Sequence, residues 1–286
     1  MDVLVLGGGP AGATAAIYAA RSGKAVTLVY QDSGALARAE RIENFYGFPA
    51  PISGPDLFRQ GLEQVRSLGV TVKEAQILSL GFGAHGLEAE TTQGTLAAPA
   101  VVLATGAQRR RPRIPGLDDF DGAGVSYCAV CDGFFCRGKE VAVLGAGTYA
   151  LHEAGVLLPL AKRVTLLTNG DPAPEEFPQD LDLDTRPIAA LVGESGILSA
   201  VRFADGGALE VCRLFVALGT AGSGDLARKV GLLTENGKIV VEGTMATNVP
   251  GLFAAGDCTG GLPQVATAVA QGAQAGLSAV RYLQNR

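Results

Sequence analysis

A short apolar run leads into Gly7-Gly8-Gly9-Pro10-Ala11-Gly12 and then into an alanine-rich stretch, and this opening constrains the chain more than any other feature. Val3-Leu4-Val5-Leu6 reads as a buried strand, the glycines suit neither regular element, Ala13 to Arg21 favours helix, and Ala25 to Tyr30 is apolar and β-branched again. Strand, glycine turn, helix and strand make a βαβ unit, and G-x-G-x-x-G in that position is a dinucleotide-binding fingerprint. Gly7 permits the tight turn, Gly9 lets the backbone approach a pyrophosphate, and Gly12 lets the helix pack closely. Pro10 and Ala11 open the helix, whose N-terminal N–H groups and positive dipole end favour an anion. A ribose-binding acid is expected about 20 residues on. Asp32 is the candidate, and a plain surface turn accounts for it equally well.

The same grammar recurs. Val141-Ala142-Val143-Leu144 leads into Gly145-Ala146-Gly147, a helical stretch from Ala150 to Leu160, and a strand from Val164 to Leu167. A length of 286 residues suits two such nucleotide-type domains. Pro112, Pro115 and Gly116 break structure between them, and Gly243 to Pro250 does so after the second. From Leu252 onward the tail reads as strand, Gly-Asp turn and a helix from Val265 to Tyr282. That tail fits completion of either domain, and joining it to the first makes the central domain an insertion.

Composition narrows the function classes. A chain 48% hydrophobic and only 18% charged packs a core. Its 40 glycines follow no collagen-like repeat and point to tight turns and cofactor loops. A net charge of −5 gives no electrostatic reason to expect nucleic acid as a partner. No apolar stretch reaches the ~18 residues that would span a membrane. Met1 is followed by no basic region, so secretion is not expected either. Five cysteines, clustered and odd in number, fit a reducing compartment better than a disulfide framework, so the expected location is cytoplasmic.

Cys128-Ala129-Val130-Cys131-Asp132-Gly133-Phe134-Phe135-Cys136 is the chemical centre. C-x-x-C lets two sulfurs close a small disulfide ring, and a helix N-terminus makes thiolate available near neutral pH. Structural zinc is the main rival, but it wants four ligands, and only Cys136, Cys212, Cys258 and the isolated His85 and His152 remain. No metal is expected. Asp132 is placed to shuttle a proton to and from a thiolate, and to cap the helix, and the two roles are compatible. Cys136, about one turn further on, reads as a small buried apolar residue in preference to a third redox thiol.

With the first glycine loop, Asn44-Phe45-Tyr46-Gly47-Phe48-Pro49, Ala104-Thr105-Gly106-Ala107, the CAVCDGFF run and Phe253-Ala254-Ala255-Gly256-Asp257-Cys258 in this order, the chain resembles low-molecular-weight thioredoxin reductases over nearly its whole length. The resemblance implies an α/β fold of two Rossmann-like domains, the second inserted into the first: an FAD domain at 1–112 and 244–286, and a redox-disulfide domain at 113–243. It implies that Gly7, Gly9, Pro10, Ala11 and Gly12 hold the FAD pyrophosphate and that Asn44 lies near the flavin. It also implies that Thr105 and Gly106 pass under the cofactor and that Gly256 and Asp257 reach the ribityl chain. Gln264, Val265 and Ala266 then present backbone N–H groups to the isoalloxazine. Cys131 becomes the sulfur nearest the flavin, Cys128 the one that attacks thioredoxin, and the protein a homodimer.

Two departures bear on the electron donor. Gly34-Ala35-Leu36 stands where the family carries Gly-Gly-Gln. The second unit's strand ends Leu166-Leu167-Thr168-Asn169-Gly170, without the arginines that grip a 2′-phosphate in NADPH-using relatives. Tyr149 is expected to crowd the pyrophosphate position there, and Lys162 and Arg163 precede the strand at its other end. In these respects the chain resembles the pyridine-nucleotide-independent branch, in which reduced ferredoxin supplies the electrons. Arg109-Arg110-Arg111 with Arg113 is a basic run suited to docking an acidic ferredoxin, or simply a solvated loop. The competing readings are an NAD(P)H-dependent reductase, a dithiol oxidase and a non-enzymatic flavin redox sensor.

Overall fold

The structure, a computed structural model, describes residues 1–84, 86–107 and 112–286. His85 and the basic run Arg109-Arg110-Arg111 lie outside the described residues. The chain forms two compact units, Met1–Arg109 with Gly222–Arg286, and Arg110–Ala221 inserted between those two stretches in sequence.

The first unit starts with β1 (Val3–Leu6), α1 (Pro10–Arg21) and β2 (Val26–Tyr30), followed by α2 (Gly54–Ser67) and β3 (Thr71–Glu74). An antiparallel meander of β4 (Ile77–Gly83), β5 (Gly86–Thr91) and β6 (Gly94–Ala98) then leads into β7 (Ala100–Leu103). β1 pairs in parallel with β2 and β7, Val3 opposite Val26 and Ala100, and β2 pairs in parallel with β3. Strands of a parallel sheet are covered on both faces, which is why β1 and β7 are unbroken runs of buried apolar residues.

The inserted unit repeats the scheme with β8 (Val125–Ser126), a single helical turn α3 (Ala129–Asp132), β9 (Glu140–Leu144), α4 (Thr148–Leu157) and β10 (Arg163–Leu167). It continues with β11 (Asp182–Asp184), a meander of β12 (Ile188–Glu194), β13 (Ile197–Phe203) and β14 (Ala208–Glu210), and β15 (Arg213–Val216). Its parallel sheet runs β11-β10-β9-β15-β8.

The chain then returns to the first unit through α5 (Ser223–Lys229) and the hairpin of β16 (Thr234–Glu235) with β17 (Lys238–Ile239). It ends with β18 (Leu252–Ala254) and α6 (Val265–Gln284). β18 adds beside β7 to give the parallel order β18-β7-β1-β2-β3, so the tail completes the first sheet. α6 lies against α1 closely enough that a Cβ on Gly272 would sit 2.1 Å from the Ala11 oxygen, and one on Gly276 2.5 Å from that of Ala15.

The units change over at 109/110 and 221/222, whereas the sequence reading placed the junctions at 112/113 and 243/244. The difference at the second junction has a local cause. Lys229 Nζ donates to the Leu78 carbonyl at 3.2 Å and the Ile239 N–H to the Cys258 carbonyl at 2.8 Å, which fastens residues 222–243 to the first unit. Gly243 to Pro250 therefore turns within that unit and is not a junction.

Candidate functional site

Within the first unit the carboxyl ends of the strands bring the predicted cofactor residues together. Gly7 adopts φ +119°, and a Cβ there would lie 2.2 Å from the Ala104 oxygen and 3.1 Å from the Thr105 nitrogen, so only glycine lets β1 turn against the end of β7. A Cβ on Gly12 would meet the Gly7 oxygen at 1.9 Å. Gly9 is the N-cap of α1, no side chain caps that helix, and the space where its Cβ would stand is open to 4 Å. An uncapped helix start with an open glycine before it, and Pro10 in its first turn, is the environment an anion occupies.

The remaining predicted residues converge on the same end. A Cβ on Gly256 would come within 2.9 Å of Ala11, which places Gly256 and Asp257 against the start of α1. Lys238 Nζ donates to the main-chain oxygen of Asp257 at 2.6 Å and pins that turn. Asn44 Nδ2 donates to Gln264 Oε1 at 2.8 Å, joining two residues 220 apart in sequence. Gln264 is the N-cap of α6, again without a side-chain cap, so the helix start at Val265 and Ala266 also meets no capping group. Gly8, Gly9, Pro10, Phe45, Phe58 and Val265 share the wall of a cavity of about 650 Å³. Thr105 Oγ1, beside Gly106, is buried and has no hydrogen-bond partner among the described residues. A buried hydroxyl left unsatisfied beside two uncapped helix starts fits a polar dinucleotide cofactor. Asp32, by contrast, accepts the Gly34 N–H at 2.7 Å in an exposed turn, which is the turn role.

In the inserted unit Cys128 and Cys131 form a disulfide with Cα atoms 5.3 Å apart. Cys128 is 2% exposed while Cys131 lies at the surface. Cys128 is the N-cap of α3, and its Sγ accepts the Cys131 N–H at 3.1 Å. Three further groups fix this turn. Ser126 Oγ accepts the Cys128 N–H at 3.2 Å and donates to Asp132 Oδ2 at 2.6 Å. Arg213 Nη1 reaches the same carboxylate oxygen at 3.4 Å. Glu153 Oε2, on a residue 1% exposed, accepts the Ala129 N–H at 2.8 Å. A buried acceptor on that N–H spares it the roughly 1–3 kcal/mol cost of being unsatisfied.

Sequence reasoning located the cysteines and Asp132 and missed Ser126, Glu153 and Arg213 as their supports. Glu153 carried a signal: the buried face of α4 is Tyr149, Ala150, Glu153, Ala154 and Leu157, so a carboxylate stands at a core position of a helix that is otherwise apolar on that face.

The second glycine turn keeps its geometry. A Cβ on Gly145 would come within 2.4 Å of the Ala217 oxygen, and Gly147 is the N-cap of α4. Tyr149, expected to crowd the loop, is instead 1% exposed and packed into the interior, since it opens the buried face of α4. Around β10 the cations are matched by carboxylates: Lys162 to Glu140 at 3.3 Å, Arg163 to Asp182 at 3.1 Å, and Arg186 to Asp184 at 2.6 Å and Asp205 at 3.1 Å. Those two carboxylates hold the Arg186 guanidinium well above its ordinary range, while it lies 4.0 Å over the Phe203 ring. Beyond β10, Thr168 Oγ1 donates to the Asp171 carbonyl at 2.6 Å and Asn169 Oδ1 accepts the Ile188 N–H at 2.6 Å.

Among the described residues no group of three His, Cys, Asp or Glu side chains is placed to hold a metal, and no helix is long and apolar enough to cross a membrane.

Residues 1–272 match the family model described as pyridine nucleotide-disulphide oxidoreductase. A thioredoxin reductase of Aquifex aeolicus is 33% identical over 100% of this chain and 94% of its own. The crystal structure of the atypical thioredoxin reductase TRi from Desulfovibrio vulgaris Hildenborough is 38% identical, covers 100% of this chain and 98% of its own, and superposes with a TM-score of 0.94. A ferredoxin-flavin thioredoxin reductase from Clostridium acetobutylicum is 30% identical over 100% of this chain and 98% of its own, with a TM-score of 0.76. The chain therefore belongs to the pyridine nucleotide-disulphide oxidoreductase family as a thioredoxin reductase-like FAD flavoprotein.

Proposed function

We propose that the protein is a thioredoxin reductase that works through the Cys128–Cys131 disulfide and takes its electrons from reduced ferredoxin. The observation that carries the first half is the setting of the disulfide. Phe134 and Phe135 are 65% and 64% exposed, and Val130 is exposed beside Cys131, so the redox pair sits in an apolar surface patch. Exposed aromatic side chains are costly unless a partner covers them, and a protein disulfide substrate is such a partner.

Bound FAD supplies the chemistry of accepting electrons from a donor and releasing them as a pair to the disulfide. The chain's own residues do the rest. Once the disulfide is opened, the Cys131 N–H that points at the Cys128 sulfur stabilises a thiolate there. That thiolate attacks a thioredoxin sulfur, and Cys131 resolves the mixed disulfide, which releases reduced thioredoxin and restores the internal bond. Cys128 is buried in the oxidised form, so its attack requires the turn to present it, and Ser126 and Glu153 anchor the backbone about which that happens. Asp132 accepts the Ser126 hydroxyl at 2.6 Å, and that hydroxyl in turn accepts the Cys128 N–H, so Asp132 is the acid–base group linked to the pair through Ser126.

The donor assignment is supported by what surrounds β10. The cations there already have carboxylate partners, so a 2′-phosphate would have to displace them, and each missing charge-assisted contact costs ~1.5–3 kcal/mol, roughly one to two decades in affinity. The NAD(P)H reading rests on the retained Gly145 turn, but the Ala217 oxygen alone demands that glycine. The reading extends to a homodimer in the cytoplasm.

Anaerobic stopped-flow bleaching of the flavin band tests the donor. Reduced ferredoxin should bleach it rapidly and more slowly as salt is raised, and NADPH and NADH slowly or not at all. Rapid bleaching by micromolar NADPH would overturn the assignment and leave the thioredoxin half standing.

A further inference from the structure

The turn that follows β18 is tied down through its carbonyls. Gly256 opens it at φ +84°, and its carbonyl accepts both the N–H and the hydroxyl of Thr259, at 2.9 and 3.0 Å. The next two carbonyls are held by the short strand β17: Lys238 Nζ donates to that of Asp257 at 2.6 Å, and the Ile239 N–H to that of Cys258 at 2.8 Å. The Gly256 N–H goes to Gln271 Oε1 of α6 at 2.8 Å. The Cys258 thiol turns inward, to the Ala255 and Leu103 carbonyls at 3.2 and 3.5 Å. Among the described residues, no other residue accepts the N–H of Asp257 or of Cys258.

A trans peptide is a rigid plane whose C=O and N–H point in opposite directions, and the chain has no cis bond among the described residues. Holding the Asp257 carbonyl on Lys238 therefore aims the Cys258 N–H away from that lysine, and holding the Gly256 carbonyl on Thr259 does the same for the Asp257 N–H. Two successive N–H groups left free in a turn make a donor pair for ligand oxygens.

The hairpin is suited to delivering the lysine. β16 and β17 join through Asn236 and Gly237, at φ 50° and 73°, the positive pair that matches the twist of a two-residue hairpin, and Lys238 is the first residue beyond the turn. Its stem lies 3.7 Å from where a Gly260 Cβ would stand. Its half-buried ammonium pairs with no carboxylate among the described residues, Glu235 directly across the hairpin included. A charge withdrawn from water and directed at one main-chain oxygen holds that oxygen firmly.

We infer that Lys238 is a positioning residue for the cofactor: by holding the Asp257 carbonyl it presents the Cys258 N–H to FAD before FAD binds. The inference rests on the reading that the turn of Gly256 and Asp257 meets the cofactor. Without the ammonium the peptide between Asp257 and Cys258 is free to turn over, the fraction of protein with the competent turn falls, and the apparent affinity falls by the same factor.

Lys238→Met keeps the stem and removes the charge. Apoprotein of this variant, titrated with FAD by fluorescence, should bind about tenfold more weakly, the effect of losing one charge-assisted bond, and Lys238→Arg should recover most of the loss. A residue that only stabilised the fold would lower the melting temperature of the apoprotein and leave the affinity of the folded protein unchanged, so apoprotein melting is recorded beside each titration. Asp257→Ala is the reference and should also weaken FAD. If Asp257→Ala weakens FAD while Lys238→Met binds it as the parent does, or if Lys238→Arg is as impaired as Lys238→Met, the role of Lys238 is overturned and the reading of the turn stands. If both Asp257→Ala and Lys238→Met bind FAD as the parent does, the turn does not meet the cofactor, and the inference falls with that reading.

Discussion

Replacing Gly9 with alanine separates binding from folding at the first glycine loop. Gly9 has φ −68° and ψ −178°, extended backbone that alanine adopts freely, and nothing lies within 4 Å of where its Cβ would stand. Gly9→Ala should therefore fold normally and gain about 0.4–1 kcal/mol from a less flexible unfolded chain. The added methyl occupies the open side from which a pyrophosphate approaches the helix start. Loss of one charge-assisted hydrogen bond, ~1.5–3 kcal/mol, weakens FAD roughly 10- to 150-fold. Gly12→Ala provides the contrast, since its Cβ would sit 1.9 Å from a backbone oxygen that cannot yield. That variant should lose ~1–3 kcal/mol or more of stability together with the flavin. Fluorescence titration of apoprotein with FAD reads the first effect, and thermal unfolding without FAD reads the second. If Gly9→Ala binds FAD as the parent does, the open side of Gly9 is not where the pyrophosphate lies.

Cys128→Ser and Cys131→Ser should each abolish thioredoxin reduction with flavin still bound. Only Cys128→Ser, which leaves the Cys131 thiolate, should perturb the visible flavin spectrum, and the opposite pattern would exchange the two roles. Glu153→Ala should destabilise the inserted unit by ~1–3 kcal/mol through the orphaned Ala129 N–H, while Glu153→Gln, which keeps an acceptor, should recover most of the loss in a melting experiment. Alkylation of Cys212 by iodoacetamide should rise through pH 7, where its thiol ionises, while Cys258, whose burial pushes it up to about 12, stays unmodified until the protein unfolds. Because folding lowers the Cys212 value below the ordinary 9, that group adds stability above about pH 9 and loses it as pH falls through 7. Gly147→Ala, whose Cβ would come no nearer than 3.8 Å to the Gly219 oxygen, should leave the rate of flavin reduction by ferredoxin unchanged, and a tenfold fall would place the donor at the second loop.

The elements that sequence reveals most clearly here are those whose cause is local. Val3 to Leu6 and Val141 to Leu144 are continuous apolar runs because parallel strands are buried on both faces, and each is followed by a glycine that the turn requires. The supports of the disulfide are a different matter. Arg213 reaches Asp132 only because β15 lies beside β9, a pairing between strands some 70 residues apart that no local pattern announces. Cys136, by contrast, reads from its own surroundings as a small buried apolar residue, and it is buried in the structure. The junction at 221/222 was similarly hidden: α5 and the β16–β17 hairpin owe their membership of the first unit to contacts with Leu78 and Cys258, and not to their own composition.

The two glycine turns show how much of a fingerprint belongs to the fold and how much to the ligand. Gly7 is required because the Ala104 oxygen would lie 2.2 Å from a Cβ, and Gly145 because the Ala217 oxygen would lie 2.4 Å away. In both units the oxygen comes from the end of the strand paired beside the first, so any βαβ unit of this sheet order needs that glycine with or without a nucleotide. Gly9 and Gly147 are likewise both extended N-caps without a capping side chain. The loops therefore carry equal conformational evidence and cannot by themselves distinguish an occupied site from a retained turn. The distinction lies further from the glycines. Around the first loop stand an unsatisfied Thr105 hydroxyl, a second uncapped helix start at Val265, and the Asn44–Gln264 pair. Beyond the second, Thr168 and Asn169 spend their polar atoms on neighbouring backbone, and Arg186 spends its charge on Asp184 and Asp205. Polar groups left unsatisfied favour a ligand, and polar groups already paired make one costly, which supports the proposal that the second unit serves the disulfide and not a nucleotide donor.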